Sequence, residues 1–384
     1  MSTPENGRPL GVAVIGYAFM GKAHSNAWRN VGAFRPEVPT VRRQVLVGRD
    51  EAQVAATARQ YGWEESATDW RAVLDRDDID IVDVCVPGHL HAEVAIAALE
   101  AGKHVLAEKP MANSLVEAEK MVSVARTARA EGVQSMVGFN YRRVPALAQA
   151  RRHVAEGRIG TVRQVRISYL QDWLADAEAP MTWRLRRESA GSGALGDLAS
   201  HAVDQVHFLL EDRIAGVNAL TETFVRKRLG DSGPEDVTVD DAAWGVLRTD
   251  GGTMVSLEVS RMATSRKNAL TVELYGSTGA LRFDLEDLNV LETCLDGDSG
   301  FTRTLVTEPS DPYVDSWWPA GHIVGWDSTF TNQAGDFLAD LAAGREPRPS
   351  FDDGLAVQRV LAAIEESALD SGCHVALPDG TSAG

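Results

Sequence analysis

The stretch GVAVIGYAFMG, residues 11–21, joins a short apolar run to a glycine-containing turn. The apolar run predicts a buried strand, and a helical pattern follows it. The turn matches the G-x-G-x-x-G dinucleotide pattern with alanine at the second position, so pyrophosphate could approach the backbone and the start of the helix. A tight turn without a ligand is the alternative. The turn residues that we assign to a cofactor are Gly16, Ala18, Phe19, Met20 and Gly21.

Short apolar runs and helical patterns continue to alternate as far as Phe139. This alternation indicates βαβ units and a doubly wound parallel sheet, whose ligands bind beyond the carboxyl ends of the strands. We therefore predict an NAD(P)-binding Rossmann domain over residues 1–138. The predicted strands cover 11–16, 43–47, 79–87, 104–110 and 134–139, and the predicted helices cover 20–31, 51–61, 91–102 and 114–132.

After Phe139 the pattern changes to that of an antiparallel sheet. Residues 161–170 alternate apolar and polar side chains, and hairpins are predicted to turn at 250–252 and 276–279. Residues 139–384 are predicted to form an α+β domain with a mainly antiparallel open sheet. Further helices are expected at 192–210, 328–343 and 354–369, and residues 230–236 are expected to lack regular structure. The expected fold class is α/β.

Composition limits the kinds of binding partner and the cellular compartment that we expect for this protein. The formal net charge of −17 opposes binding to nucleic acid or to an anionic membrane. Three cysteines at unrelated spacings form neither a disulfide framework nor a metal cluster, as is typical of a reducing compartment. The first residues do not resemble a signal peptide, and no apolar run is long enough to span a bilayer. We expect a soluble cytoplasmic protein that binds a small molecule.

The stretch SGALGDLASHAVDQVHFLL, residues 192–210, carries Asp197, His201 and Asp204. On a helix these three positions fall within about 60° of one another, opposite a mainly apolar arc. Three glycines precede them and could let a ligand approach the start of the helix. A solvated helix face and a catalytic site are both compatible with this pattern.

A lysine stands at the predicted carboxyl end of a strand in AEKP, residues 107–110. In a doubly wound fold this position lies beside the expected nicotinamide, and the following proline stiffens the backbone. Taken alone, Lys109 could be a solvated loop residue. Together with the glycine turn and the Asp197/His201 segment it forms a three-part constellation.

These motifs resemble the glucose–fructose oxidoreductase, inositol dehydrogenase and rhizopine catabolism (Gfo/Idh/MocA) family, over essentially the whole chain. EKP and GALGDLASHAVD carry the resemblance most specifically, and FMGKAHS, FNYRR, SYLQDW, WR and GSGALGD resemble the levoglucosan-type branch. The resemblance implies a Rossmann domain and, over residues 139–384, a domain for substrate binding and oligomerisation. The open antiparallel sheet of this second domain commonly forms an oligomer interface, here of a homodimer or homotetramer. The resemblance also implies that Lys109, Asp197 and His201 are the catalytic residues.

These residue types suit the oxidation of an alcohol, because a proton must leave the hydroxyl as hydride leaves the carbon. A positioned acid or base contributes about 10²–10⁴-fold. His201 could accept the proton at neutral pH, and Asp197 could hold the imidazole or a neighbouring hydroxyl. Lys109 could donate to the developing alkoxide, or act as the base if its pKa is depressed. Either His201 or Lys109 could be the primary base.

A sugar needs paired hydroxyl contacts and a flat surface for stacking. For each aromatic or charged candidate, a structural role in the core, at an interface or in a surface ion pair is the alternative. The candidate substrate-binding residues are Tyr141, Gln171, Asp172, Trp173, Trp183, Arg184 and Asp204. Further residues expected on the cofactor side are Pro87, His91 and Glu108. No ligand spacing supports a metal site.

The choice of cofactor depends on VLVGRDEA, residues 45–52. A Rossmann fold that prefers NAD usually has an acidic residue at the end of its second strand, which binds the ribose 2′-hydroxyl. Gly48 occupies that position, and Arg49 follows with a guanidinium that can pair with a 2′-phosphate. Either NADP or NAD is expected, with NADP favoured. The alternative is that Asp50 replaces the absent acid.

Three function classes fit these observations. The favoured class is an NAD(P)-dependent dehydrogenase or reductase that acts on a ring hydroxyl of a sugar, anhydrosugar or cyclitol. The second is a glycoside hydrolase or lyase of the same fold that uses held NAD for transient oxidation. The third is a nucleotide-binding sensor without turnover, against which the presence of Lys109, Asp197 and His201 argues.

Overall fold

A computed structural model describes residues 8–378 of the chain. Its strands are β1 Leu10–Ile15, β2 Val41–Val47, β3 Glu65–Ala67, β4 Ile81–Val84, β5 His104–Ala107, β6 Ser135–Val137, β7 Val162–Leu170, β8 Ile214–Glu222, β9 Lys227–Gly230, β10 Gly233–Asp236, β11 Ala242–Thr249, β12 Met254–Ser260, β13 Ala269–Gly276, β14 Ala280–Asp284, β15 Val290–Cys294, β16 Thr302–Leu305 and β17 Val375–Ala376. Its α-helices are α1 Phe19–Phe34, α2 Glu51–Tyr61, α3 Trp70–Leu74, α4 His91–Glu100, α5 Leu115–Ala130, α6 Pro145–Ala155, α7 Arg187–Ala190, α8 Ser200–Leu210, α9 Ser328–Ala342 and α10 Phe351–Leu369. In this described range no helix is both long enough and apolar enough to cross a membrane.

The chain divides into two compact units, and the first contains residues 1–143 and 325–355. Its six strands form a sheet in the order β3-β2-β1-β4-β5-β6, and every neighbouring pair is parallel. The strand order reverses between β1 and β4, where sheets of this kind bind dinucleotides. The predicted Rossmann sheet is therefore confirmed.

A segment from the end of the chain completes the core of the first unit. Helix α9 packs against α1, and Phe337 and Leu338 are buried with Trp28 of α1. The predicted domain boundary at residue 138 placed the segment that contains α9 in the second domain. Its helical pattern was visible in the sequence, but the partner of its apolar face lies some 300 residues earlier and could not be found from local spacing.

The second unit contains residues 144–324 and 356–384 and is built on a nine-stranded sheet. The strand order is β16-β15-β14-β13-β7-β12-β11-β8-β17. Among the described pairs of this nine-stranded sheet, only β7–β12 is parallel. Helix α8 packs on β7, and α6 packs on α8 and β15. The mainly antiparallel sheet of the second domain is thus confirmed.

The opposite face of this sheet carries exposed apolar side chains. Along β7, Val165, Ile167 and Tyr169 are buried, as the alternating pattern predicts. The strands β8, β11 and β12 present large apolar side chains away from the buried layer. The exposed residues on these three strands include Leu220, Trp244, Val246 and Met254.

Two local predictions for this unit were wrong. Residues 230–236 belong to a regular hairpin in which β9 and β10 pair, with Glu235 held by Arg186 at 2.6 Å. The composition of this segment is that of a turn, and the contact that orders it comes from elsewhere in the chain. The segment 192–210 is not one uniform α-helix, because a π-helical turn at Leu195–Ala199 precedes α8.

We expect Leu338→Ala to destabilise the first unit strongly, since Leu338 is 0% exposed in the core that α9 shares with α1. Removing a buried leucine side chain costs about 2–5 kcal/mol. Leu369→Ala is the matched control, because Leu369 is also helical but 88% exposed. Urea denaturation measures both, and equal stabilities of the two variants would contradict the assignment of α9 to this core.

Candidate active site

The glycine turn after β1 has the geometry that a dinucleotide requires. Gly16 has a φ of +112°, and a Cβ there would lie 2.3 Å from the Cys85 carbonyl oxygen. A Cβ at Gly21 would lie 2.0 Å from the Gly16 carbonyl oxygen. Neither position can hold a side chain without a backbone shift. Ala18 and Phe19 at the start of α1 are exposed, and Ala18 has no side-chain acceptor to occupy the first N–H groups of the helix. The turn therefore fits a bound pyrophosphate.

The position after β2 has little room for a side chain. A Cβ at Gly48 would lie 2.0 Å from the ring of Tyr17, so the tyrosine excludes any larger residue there unless the ring moves. Asp50 caps α2 and accepts hydrogen bonds from the Gln53 backbone and side-chain amides at 2.9 and 3.1 Å. Arg49 is exposed and forms no hydrogen bond or ion pair within residues 8–378. The free charged group beside this strand end is thus a guanidinium.

Lys109 follows β5 by two residues, and a buried charged cluster lies beside it. The His24 ring lies between two carboxylates, with Nδ1 2.8 Å from Asp83 Oδ2 and Nε2 2.9 Å from Glu108 Oε1. Burial alone would lower the pKa of His24, but the Asp83 carboxylate raises this pKa well above its ordinary value. Glu108 also accepts the Lys109 backbone N–H at 3.2 Å. Glu108, predicted on the cofactor side, is therefore buried under the strand end.

The atoms of His24, Asp83 and Cys85 lie within 4.8 Å of one another, a grouping that the sequence spacing did not reveal. Two ligands of one zinc ion, each about 2.0–2.1 Å from it, would be about 3.3 Å apart. The 2.8 Å separation of His24 Nδ1 and Asp83 Oδ2 is shorter and is that of an ordinary hydrogen bond. Burial also raises the pKa of Cys85, which disfavours the thiolate that a metal prefers. This cluster is a hydrogen-bonded charge network.

Two further residues predicted on the cofactor side follow β4. Pro87 is partly exposed just beyond this strand, at the point where the strand order reverses. His91 is buried, and its ring nitrogens lie 2.9 Å from the carbonyl oxygens of Pro110 and Val86. Burial lowers the pKa of His91. The His91 ring thus ties the loop after β4 to the loop after β5, and a supporting role suits it better than direct contact with a cofactor.

Trp326 joins the glycine turn to a predicted substrate residue within the first unit. Its ring stacks on Phe19 with ring centroids 5.6 Å apart. Its Nε1 donates to the Tyr141 hydroxyl at 3.3 Å. Tyr141 itself is buried in a short 3₁₀ turn after β6. The sequence showed Trp326 only as one of several tryptophans between residues 317 and 326, without indicating what it contacts.

In the second unit, His201 and Asp204 are buried and Asp197 is partly exposed. Burial of these side chains excludes the solvated helix face that the sequence left open. The π-helical turn containing Asp197 shifts this residue relative to the α-helical spacing on which the prediction rested, and such turns are frequent at functional sites. The Tyr169 ring meets His201 edge-on, with ring centroids 5.9 Å apart.

Next to this histidine lies a side-chain network that sequence reasoning only partly identified. The Asn268 side-chain oxygen accepts from the Tyr169 hydroxyl and from Gln171 Nε2, each at 2.7 Å. Gln171 was a predicted substrate residue, whereas Tyr169 and Asn268 were not. Asp172 instead pairs with Lys267 at 2.6 Å at the surface, which lowers the pKa of Asp172.

The glycine lead-in before Asp197 is held by Asp240, whose carboxylate accepts the Gly193 and Leu195 N–H groups at 2.7 Å each. Burial raises the pKa of Asp240, although these two donors oppose the shift. Arg261 donates to the Asp240 carbonyl oxygen at 2.9 Å and lies over the Trp173 ring at 5.4 Å. Burial lowers the pKa of Arg261, against the attraction of Asp197 and Asp240. Neither Asp240 nor Arg261 stands in a motif, so no sequence signal marked them.

The last two predicted substrate residues pair with each other. The Arg184 guanidinium lies 4.5 Å from the centroid of the Trp183 ring, and this ring is partly exposed. The predicted residues thus fall into two sets, each described within its own unit. The first unit holds the glycine turn, Arg49, Pro87, His91, Glu108, Lys109 and Tyr141, and the second holds Gln171, Asp172, Trp173, Trp183, Arg184, Asp197, His201 and Asp204.

Comparison with known proteins identifies the class that this fold and glycine turn define. Residues 10–139 match the model of the oxidoreductase family with an NAD-binding Rossmann fold, and residues 147–282 match the GFO/IDH/MocA C-terminal domain. The chain therefore belongs to the GFO/IDH/MocA family of oxidoreductases and is an enzyme of that class.

Individual relatives agree with this assignment over nearly the full chain. Levoglucosan dehydrogenase of Pseudarthrobacter phenanthrenivorans is 38% identical over 381 residues, which cover 94% of this chain and 96% of the relative. The crystal structure of an oxidoreductase domain protein from Kribbella flavida has a TM-score of 0.94 at 52% identity, covering 97% of this chain and 100% of that one. A levoglucosan dehydrogenase in complex with NADH and levoglucosan has a TM-score of 0.92 at 38% identity, with coverage of 97% and 100%.

Proposed function

We propose that this protein is an NAD(P)-dependent dehydrogenase that oxidises a ring hydroxyl of a sugar, anhydrosugar or cyclitol to a ketone, or catalyses the reverse reduction. Levoglucosan is the first substrate to test, since the relative that bears its name matches 94% of this chain. The observation that carries the proposal is the glycine turn, in which Gly16 and Gly21 leave no room for a Cβ, combined with Lys109 at the end of the parallel strand β5.

The proposed reaction divides the work among three side chains. His201 accepts the hydroxyl proton, Asp197 binds a neighbouring hydroxyl or orients the imidazole, and Lys109 donates a hydrogen bond to the developing alkoxide. Bound nicotinamide supplies the hydride acceptor. The edge-on contact of Tyr169 restricts the His201 ring, and a fixed ring suits a general base.

The proposed sugar contacts come from the other residues that the sequence assigned to the substrate. Gln171 is held by Asn268, so its amide has a fixed orientation for a hydroxyl. Trp173 and the Trp183/Arg184 pair offer flat exposed surfaces for stacking. Tyr141 is anchored by Trp326. Asp172 and Asp204 are less suited to direct contact with the sugar. Asp172 pairs with Lys267, and Asp204 is 0% exposed.

A substrate panel tests the proposal. Levoglucosan, other anhydrosugars, aldoses and inositols are incubated with NAD and with NADP, and reduced nicotinamide is followed by its absorbance. Net reduction that depends on one polyol class supports the dehydrogenase. Product formation without net cofactor reduction would favour the hydrolase or lyase class instead, and cofactor binding without any turnover would favour a sensor.

We also propose that NADP is accepted and preferred over NAD. The end of β2 lacks the carboxylate that would repel a 2′-phosphate, and a Cβ at Gly48 would lie 2.0 Å from the Tyr17 ring. Asp50 is engaged in capping α2, so it is poorly placed to replace that carboxylate. Arg49 is exposed and available for a charge-assisted pair with the phosphate.

Arg49→Ala should therefore weaken NADP(H) binding and leave NAD(H) binding nearly unchanged. Losing one charge-assisted pair costs about 1.5–3 kcal/mol, or roughly ten- to a hundredfold in affinity. Fluorescence titration of both reduced cofactors measures this change in affinity. Arg59→Ala is the control, because Arg59 lies in the last turn of α2. A wild-type preference for NAD of about tenfold or more would contradict the proposal.

Lys109→Ala and His201→Ala should each lower kcat by about 10²–10⁴-fold while the fold and cofactor binding persist. The matched controls are Lys120→Ala, an exposed lysine on α5, and His207→Ala, a buried histidine on α8. Both controls should retain kcat, although His207→Ala should lose stability, because its ring accepts the Ile214 N–H. A Lys109 or His201 variant with near wild-type kcat would remove that residue from the catalytic set.

The exposed face of the nine-stranded sheet is the proposed contact between copies of this chain in a homodimer or homotetramer. It carries Leu220, Trp244, Val246 and Met254 on adjacent strands, and apolar patches of this kind mark interfaces. We place the protein in the cytoplasm, where Cys85, Cys294 and Cys373, all free in the structure, would stay reduced.

Val246→Arg should lower the oligomeric state, because it puts a charge into the proposed apolar contact. Val116→Arg is the control, since Val116 is an exposed valine on α5, in the other unit. Light scattering at micromolar concentration should show a dimer or tetramer for the wild type and the control, and a smaller species for Val246→Arg. A monomeric wild type would rule out this interface.

A further inference from the structure

His24 connects two parts of the first unit that lie far apart in sequence. It lies on α1, the helix that begins at the glycine turn, and its ring reaches Asp83 in β4 and Glu108 just after β5. All three side chains are almost completely buried. The phosphate-binding helix and the strand end that precedes Lys109 are therefore joined through one imidazole ring.

Each carboxylate has further partners that fix its orientation. Asp83 accepts the Trp28 Nε1–H at 2.6 Å, and the Cys85 thiol lies 3.6 Å from its other oxygen. On the Glu108 side, a Cβ at Gly138, the residue after β6, would lie 2.7 Å from Oε1, so the glycine leaves space for this carboxylate. The cluster has a fixed geometry, with the imidazole in its middle.

The link to the reacting region runs through Glu108. One of its oxygens faces His24 Nε2 at 2.9 Å, and the other accepts the Lys109 backbone N–H at 3.2 Å. Two buried carboxylates without a cation between them would repel each other, and one would take up a proton. Removing the ring would thus change both the charge and the position of the group that holds the Lys109 backbone.

We propose that His24 is a positioning residue for Lys109. The His24 ring bridges the carboxylates of Asp83 and Glu108 and thereby fixes the end of β5. The proposal deepens the dehydrogenase function proposed above and rests on the role given there to Lys109. Displacing a reacting group by about 1 Å can cost about 10²-fold in rate, so the effect of losing this bridge should be seen in kcat.

His24→Gln tests the proposal, because glutamine is uncharged and cannot bridge both carboxylates as the ring does. We expect kcat to fall about tenfold or more, with cofactor affinity changed by less than about threefold. The deuterium isotope effect on kcat should rise as hydride transfer becomes slower. Independently of turnover, hydrogen exchange at the Lys109 backbone amide should become about tenfold faster or more, as its acceptor loses a fixed position.

Ser25→Ala is the matched control. Ser25 is the next residue on α1, is equally buried, and accepts the Trp63 Nε1–H at 3.0 Å, away from the cluster. It should lose stability but keep kcat and the exchange rate at Lys109. If His24→Gln does not fold, Glu108→Gln replaces it. Glu108 contacts both His24 and the Lys109 N–H, and in the glutamine variant one of these two contacts meets an NH₂ group in place of an oxygen. In this variant kcat should fall and hydrogen exchange at the Lys109 amide should become faster.

Several results would overturn the proposal: unchanged kcat and exchange in the glutamine variants, equal effects in Ser25→Ala, or a stoichiometric metal ion in the wild type that His24→Gln loses. The exchange measurement needs no substrate. If no polyol reduces the cofactor in the wild type, the proposed function fails while exchange at Lys109 still decides whether His24 positions this residue.

Discussion

The close approach of the Gly16 backbone to β4 is the constraint on which the first unit depends. Because a Cβ at Gly16 would lie 2.3 Å from the Cys85 carbonyl oxygen, only glycine lets the chain turn there and begin α1 against the sheet. That placement opens the start of α1 to a phosphate. It also brings His24, on the same helix, to within hydrogen-bonding distance of Asp83 and Glu108. This one close contact thus sets where α1 starts, and with it the positions of the candidate phosphate site and of His24.

Local patterns were enough to predict the two main sheets. The parallel sheet followed from apolar runs alternating with helices, and helix α2 was placed at Glu51–Tyr61 without error. The alternation of Val165, Ile167 and Tyr169 gave the buried face of β7. These predictions succeeded because each depends on contacts that repeat every two or four residues, which the sequence displays directly.

The contacts that the sequence did not predict share a physical cause: in each, the partner residue is distant in sequence. Asp240 holds Gly193 and Leu195 across more than 40 residues, and Arg261 contacts Trp173 across nearly 90. Neither contact leaves a periodic trace. The π-helical turn at Asp197 is likewise invisible to a 100° helical projection, although the burial of the polar residues on α8 excludes a solvated helix face. Local spacing likewise does not mark the contacts of His24, because its two carboxylate partners lie about 60 and 85 residues further along the chain.

Tracing the hydrogen that leaves the sugar tests the central claim most directly. Levoglucosan deuterated at its ring carbons is incubated with wild-type protein and oxidised cofactor, and the reduced cofactor is analysed by mass spectrometry. Direct hydride transfer predicts that each reduced cofactor carries one deuterium and that a ketone accumulates with it in equal amount. Turnover of the sugar with the deuterium returned to the product, and without net reduced cofactor, would contradict the dehydrogenase and favour transient oxidation.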